Sequence, residues 1–446
     1  MVFCDPAGQV FDHPGLAMAG ANGGQWLTVP WEETIPLPPG STIVCLPGRR
    51  PIGVDPASGR FEPIERIEGI GPVWAAAAVL PPAYLRTLLP AEAGRQTADD
   101  GRRRTEDRGP GKTGLPGFPL PTAVCRLPSA LPLLGYTAIG WAAGGFRVAA
   151  LRLDRRRCWD PAHFGTPELP ELIAATRNAF PSNRIIGQIA RCSLEYDCYT
   201  AQNFFYGRWE AGIPVSKRCN ARCHGCISLQ PSASGRSPQE RIAFEPTVEE
   251  IVQVAAAHLS NAADPMVSFG QGCEGEPLMR ADRIAEAVQR VRHATLRGTV
   301  HINTNGSRPD IVDRLAAAGV QSFRVSLASA SPTRYDAYHR PSGYNLWDVG
   351  EFIDRAKKRG LRVALNVLTF PGVTDAEGEI QHLLGFLRAH PVDAVQLRNL
   401  NLDPAVGLAV LAPDGHGIGV RELLRRLRGG PPGVPLESFN RARRGN

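Results

Sequence analysis

From about residue 248 onward, short runs of apolar and β-branched residues alternate with stretches in which apolar positions recur every three to four residues. The runs at 265–269, 299–304, 322–327, 362–368 and 394–397 predict strands, and the periodic stretches at 248–259, 283–291, 311–318, 346–358 and 378–389 predict helices. A run at 213–216 supplies a leading strand, which makes six β/α units. Such regular alternation is the pattern of a parallel sheet built from right-handed crossovers. Functional residues then belong at the C-terminal ends of the strands.

The pattern upstream is different. Residues 1–153 carry short apolar runs, such as 41–46, 136–141 and 146–153, broken by Pro, Gly and Asp. They read as a small, mostly β N-terminal domain with one helical interruption near 82–89. Inside it, 93–119 is rich in Gly, Arg and Asp and reads as a flexible excursion. Residues 154–210 turn helical and aromatic, with a helix at 167–179, and connect this domain to the β/α region at 211–404. Their tyrosines and phenylalanines read first as a packing layer. A C-terminal tail with one helix, 405–446, completes the expected order.

Composition changes this picture little. No apolar run reaches the roughly 20 residues that a membrane helix needs, so no membrane partner is expected. The opening MVFCDPAGQVFDHPG lacks a basic segment followed by an apolar one, and a cytoplasmic setting is expected. The formal charge of +7 gathers in short arginine runs, such as Arg102 to Arg104. These are compatible with a nucleic-acid partner and equally with solvated surface. GPGKTG at 109–114 looks like a phosphate loop, but Glu106 stands where its first glycine belongs and no strand precedes it.

The candidate chemistry is concentrated in CNARCHGC, which places Cys219, Cys223 and Cys226 at spacing C-x3-C-x2-C. Thiolates are the usual ligands of iron–sulfur clusters, and a cubane is normally held by four. Three leave one iron open for exchangeable chemistry. A zinc site using His224 is the competing reading, weakened because two adjacent residues seldom reach one tetrahedral ion. Ten cysteines invite a disulfide framework, but their uneven placement and a motif that needs free thiolates argue against it. Cys192 and Cys198 are half of a second cluster set, and no cysteine follows Cys273.

This stretch resembles the signature of the radical S-adenosylmethionine (SAM) enzymes. The resemblance covers roughly residues 212–404 and implies a partial six-stranded β/α barrel. It implies a [4Fe-4S] cluster on Cys219, Cys223 and Cys226, with SAM on the open iron. Reductive cleavage of SAM would then give a 5'-deoxyadenosyl radical. Gly275, Glu276 and Pro277, in GQGCEGEPL after the second strand, look like the loop that binds the SAM amino group. Thr304 and Asn305 in NTNG, Ser326 in VSLAS, and Asn366, Gln396 and Arg398 on the last two strands are similar to residues lining the SAM site. Cys273 is a candidate hydrogen-atom donor in the second-strand loop. The family often has an aromatic residue before the third cysteine, where this chain has Gly225, so adenine packing must come from elsewhere. A low-potential electron donor such as flavodoxin or ferredoxin is implied as partner. The extra N-terminal domain favours a peptide, protein or other macromolecular substrate. The alternative in another class is a non-catalytic iron–sulfur or zinc protein, a redox sensor or scaffold.

Overall fold

The computed structural model describes residues 1–95, 118–124, 135–230, 237–413, 415–430 and 433–442. Most of the 93–119 excursion, the arginine run at 102–104, the GPGKTG stretch and the end of the tail lie outside these residues.

The β/α region forms one seven-stranded parallel sheet in chain order: β1 (Arg208–Gly212), β2 (Ala263–Phe269), β3 (Thr299–Thr304), β4 (Ser322–Leu327), β5 (Arg362–Thr369), β6 (Ala394–Asn399) and β7 (Leu436–Glu437). Three helices precede β1 in the chain: α1 (Leu169–Ala179), α2 (Arg184–Glu195) and α3 (Tyr199–Phe205). The crossovers carry α4 (Val248–Asn261), α5 (Ala281–Ala294), α6 (Val312–Ala318), α7 (Pro332–His339), α8 (Leu346–Lys358) and α9 (Glu377–Ala389). Beyond β6 come α10 (Pro404–Leu411) and α11 (Val420–Gly429).

Local chemistry sets these elements. Thr247 and Glu250 close a capping box at the start of α4, and Asn345 with Asp348 does the same for α8. Strand side chains such as Val267, Ile302, Val325 and Val367 are buried in one continuous core with the inner faces of α4 to α9. Apolar burial of this kind is worth about 25 cal/mol per Å² and dominates the stability.

Four expectations are corrected. The first strand is Arg208–Gly212, and the apolar 213–216 run is the loop that leaves it, its backbone held by Glu274. The sheet has a seventh strand, because Leu436 and Glu437 pair in parallel with Val395 and Gln396, and the region after 404 holds two helices. The stretch at 82–89 is not helical: Tyr84–Arg86 pairs with Ala150–Arg152, and Leu89–Pro90 pairs with the strand Ala17–Asn22. Ala83 sits at φ +78°, outside the right-handed helical region. The thiols are not all free, since Cys4 and Cys45 form a disulfide. They meet beside Trp74–Val79, whose run of alanines leaves the sulfurs room.

The N-terminal β region is joined to the barrel by buried polar contacts. Arg49 pairs with both Glu92 and Asp403. Arg86, fully buried, donates to the carbonyls of Tyr136 and Leu400 at 3.0 and 3.1 Å, and its own N–H donates to Asn399 Oδ1. Asn22 donates to Asp375 at 3.0 Å, and burial raises the Asp375 pKa.

Two buried histidines give the fold a pH dependence. His258 donates from Nε2 to the Trp209 carbonyl, and His301 sits between Ser322 Oγ and Asn303 Oδ1. Burial pushes His258 down to about 4 and His301 to about 3, the charge of Arg324 adding to the second. An unfolded histidine titrates near 6.5, so below that pH the unfolded chain gains protons that the folded chain refuses. Stability should therefore fall as pH drops from about 6.5 towards 4, each histidine adding about 1.4 kcal/mol per pH unit within that window. Urea midpoints measured across it check this. His258→Gln, which keeps a donor for Trp209, should reduce the slope, and an unchanged slope would refute the assignment.

Candidate functional site

A cavity of about 440 Å³ opens at the C-terminal ends of the strands, and Cys219, Cys223 and Cys226 all line it. Burial pushes Cys219 up to about 11, with the negative charge of Glu276 adding to the shift. Burial also raises Cys223 well above its ordinary range, and the charges of Cys226 and Cys219 add to the shift. The three sulfurs therefore face one space and sense one another, and binding a metal there must displace protons. No three His, Cys, Asp or Glu side chains among the described residues converge as a cage for a single ion. A cubane asks for something else, one thiolate at each of three corners. Arg241 stands beside Cys226, its Nη2 3.5 Å from Sγ. His224 does not line the cavity, which removes the observation a zinc reading needs. The cysteines thus fit a [4Fe-4S] cluster.

The cysteine loop is bound to the loop after β2. Val215 and Ser216 donate backbone N–H to Glu274 Oε2, while Gly270 and Gln271 donate to its other oxygen. Burial pushes Glu274 up to about 7 against these four donors, which favour its charged form. Gly275 N–H donates to the Ser216 carbonyl at 2.6 Å and Glu276 N–H to the Arg218 carbonyl at 2.8 Å. A Cβ on Gly275 would lie 2.1 Å from that Arg218 oxygen, so the position admits only glycine.

Most expected cofactor residues meet here, with duties that differ from the expectation. Gly275, Glu276, Pro277, Thr304, Asn305, Ser326, Asn366 and Arg398 line the cavity. The Glu276 carboxylate is engaged by Thr304 Oγ1 and by the backbone N–H of Asn305 and Leu278, and Asn305 Nδ2 donates to Asn220 Oδ1 inside the cysteine motif. These side chains brace the loops. Ser326 accepts from Asn366 Nδ2 at 3.5 Å, and Asn366 Oδ1 has no partner.

Two candidates fall outside. Gln396 is fully buried and donates to the Phe439 carbonyl and Asn440 Oδ1, because the segment after β7 closes the barrel beneath it. Cys273 turns away from the cavity and hydrogen-bonds with Cys192, with Cys198 near both, so it is not placed to give hydrogen to anything in the cavity.

Tyr338 and His339 were missed because the short α7 has little amphipathic signal. A Cβ on Gly225 would lie 2.6 Å from the Tyr338 hydroxyl oxygen and 2.8 Å from the Asn401 carbonyl oxygen. Glycine before the third cysteine thus makes room for a tyrosine brought from elsewhere. His339 Nδ1 lies 3.4 Å from Cys223 Sγ, and its Nε2 accepts from Ala328 N–H. Arg324 also lines the cavity, its only signal a charge inside a buried strand pattern. Residues 79–84 of the N-terminal region supply a wall, although every cofactor contact was expected after residue 212.

The profile of the Radical SAM superfamily matches residues 213–384. Those residues are a radical SAM domain. A GTP 3',8-cyclase from Marinobacter nauticus is 30% identical over 220 residues, which is 48% of this chain and 61% of that protein. Molybdenum cofactor biosynthesis protein 1 from Bos taurus is 27% identical over 188 residues, 41% of this chain and 27% of that protein. The chain therefore spans less than two thirds of the length of these relatives. A solved radical SAM methyltransferase from Sphaerobacter thermophilus is 18% identical with a TM-score of 0.36, covering 52% of this chain and 65% of that one. The domain's superfamily uses a [4Fe-4S] cluster and SAM, and the observed partial barrel, extended by its seventh strand, agrees with it.

Two substitutions test the loop geometry. Replacing all three motif cysteines by alanine should abolish cluster loading, whereas Cys192→Ala should leave iron content unchanged. Gly275→Val should lower iron content along with SAM affinity, because its side chain strikes the backbone next to Cys219. Iron and sulfide analysis after anaerobic reconstitution measures both, and a Gly275→Val protein with full iron would contradict the close approach.

Proposed function

We propose that the chain is a radical SAM enzyme whose Cys219, Cys223 and Cys226 hold a [4Fe-4S] cluster at the mouth of the barrel. The observation that carries this is the convergence of all three cysteines and the strand-end residues on one cavity. Bound there, cluster and SAM together would supply a 5'-deoxyadenosyl radical for hydrogen abstraction. The chain's own part is to shield that chemistry. Residues 79–84 and Tyr338 limit access of water, Arg241 donates to Cys226, and Ser326 and Asn366 offer polar contacts to a cofactor or substrate.

The N-terminal region walls the cavity, so it serves the reaction site as well as any recognition. One relative is named a GTP 3',8-cyclase and the other a molybdenum cofactor biosynthesis protein, so a peptide or protein substrate has no preference over a small molecule. A low-potential electron donor such as flavodoxin or ferredoxin belongs to the same proposal. So does a cytoplasmic setting, favoured by motif thiols that need reducing conditions. Among the described residues no helix is long and apolar enough to cross a membrane.

The test is anaerobic reconstitution with iron and sulfide, followed by SAM and dithionite and measurement of 5'-deoxyadenosine. The wild-type chain should form it at least about tenfold faster than the triple alanine variant, a difference of about 1.4 kcal/mol in barrier or more. A fully loaded cluster with no SAM cleavage would support an electron carrier or sensor instead.

A further inference from the structure

The buried and half-buried arginines around the barrel fall into two groups. Arg49 is paired with Glu92 and Asp403, Arg362 with Glu437, and Arg86 donates to two carbonyls. Arg324 on β4 and Arg398 on β6 have no such carboxylate or carbonyl partner, although the Arg398 guanidinium stands 5.9 Å over the Phe439 ring. Both line the cavity, and no ion pair or hydrogen bond engages either guanidinium among the described residues. The Nε of each is buried and unpartnered.

Their surroundings leave positive charge uncompensated. The carboxylate whose charge reaches both is Glu210, itself accepting from Asn440 Nδ2 at 2.7 Å. One carboxylate thus faces two guanidiniums. His301 nearby is held neutral, and Glu274 and Glu276 are engaged at the cysteine loop. Burial and the charge of Arg398 push Arg324 down to about 9. Such a charge is costly unless something neutralises it, and a planar guanidinium fork matches a carboxylate or phosphate. The strand register places Arg324 beside Asn303 and two residues deeper than Ser326, below the level at which Thr304 and Glu276 brace the cluster loop.

We propose that Arg324 and Arg398 form the seat for an anionic group, phosphate or carboxylate, of the substrate. This rests on the radical SAM reading and names the substrate class for it. The SAM carboxylate is not the intended occupant, since it belongs at the open iron by the cysteines. The seat runs from Arg324, two residues deeper than Ser326, to Arg398 nearer the end of β6, and would hold one end of a small anionic substrate while its reacting part faces the cluster.

The test is calorimetric titration of the cluster-free chain, at low ionic strength, with pyrophosphate in one arm and malonate in the other. At least one should bind the wild type with a dissociation constant below about 1 mM, and the arm that binds better names the anion. Arg324→Gln and Arg398→Gln should each weaken it at least about tenfold, and Arg324→Lys, which keeps the charge but loses the fork, by less. Circular dichroism reports whether each variant folds, and if one does not, the remaining variants decide. Binding of neither anion, or equal affinity in the folded Gln variants, would overturn the proposal. So would a loss of SAM affinity in reconstituted protein with anion binding intact, which would give these arginines to the cofactor. Because the titration needs no cluster, it reads the seat independently of the SAM-cleavage assay.

Discussion

The site depends on one junction, where the loop carrying the cysteines is fastened to the loop after β2. A thiolate on a flexible loop would sample many positions, and a cubane tolerates few. Glu274 fixes the approach to the motif through backbone N–H groups on both loops, while Gly275 and Glu276 add two backbone bonds to the residues before Cys219. Glu276 then transmits that position to β3 through Thr304 and Asn305, and Asn305 returns to the motif at Asn220. Buried carboxylates are costly unless their oxygens are engaged by donors. Here they are engaged, so the network is rigid, and the loops cannot separate without stranding charge.

The same logic explains why the N-terminal β region is more than an appendage. Its contacts with the barrel are buried and polar, namely Arg49 with Asp403, Arg86 with the Leu400 carbonyl, and Asn22 with Asp375. Separating the regions would leave several of these groups unpartnered in the interior, a penalty of about 1 to 3 kcal/mol for each neutral group and more for charged ones. The wall formed by residues 79–84 is consequently fixed against the cavity. Removing the N-terminal region would therefore change the reaction site itself.

Much of the barrel was legible because a parallel sheet buried on both faces writes itself as apolar runs separated by periodic helices. The runs at 299–304 and 322–327 coincide with β3 and β4, and 346–358 with α8. What failed was structure specified by partners distant in the chain. β7 is two residues long and exists only because β6 offers an edge. Tyr338 sits on a helix too short for periodicity, and the reason for Gly225 is that tyrosine more than a hundred residues later. Gln396 had the right parity for the cavity, but no local pattern foretells that Phe439 and Asn440 close beneath it. Cysteine spacing located the cluster loop, whereas the side-chain duties of Glu276, Thr304 and Asn305 required the loops to be brought together.

Charge is distributed along the cavity in a way that separates its two ends. Near the motif, Arg241 faces Cys226 and both glutamates are enclosed by donors, although the charge of Glu276 still opposes a thiolate at Cys219. Elsewhere on the cavity wall, Arg324 and Arg398 share Glu210 as the carboxylate whose charge reaches both. In a region shielded from water, field strength falls slowly with distance, so an excess of cation at one end biases how any polar molecule enters. A molecule with an anionic end and a neutral end would be drawn in anion first, leaving the neutral end towards the cysteines. Orientation of that kind matters most for radical chemistry, where the position of the reactive centre decides which hydrogen is lost. The arginines would then govern regiochemistry without touching the reacting atoms.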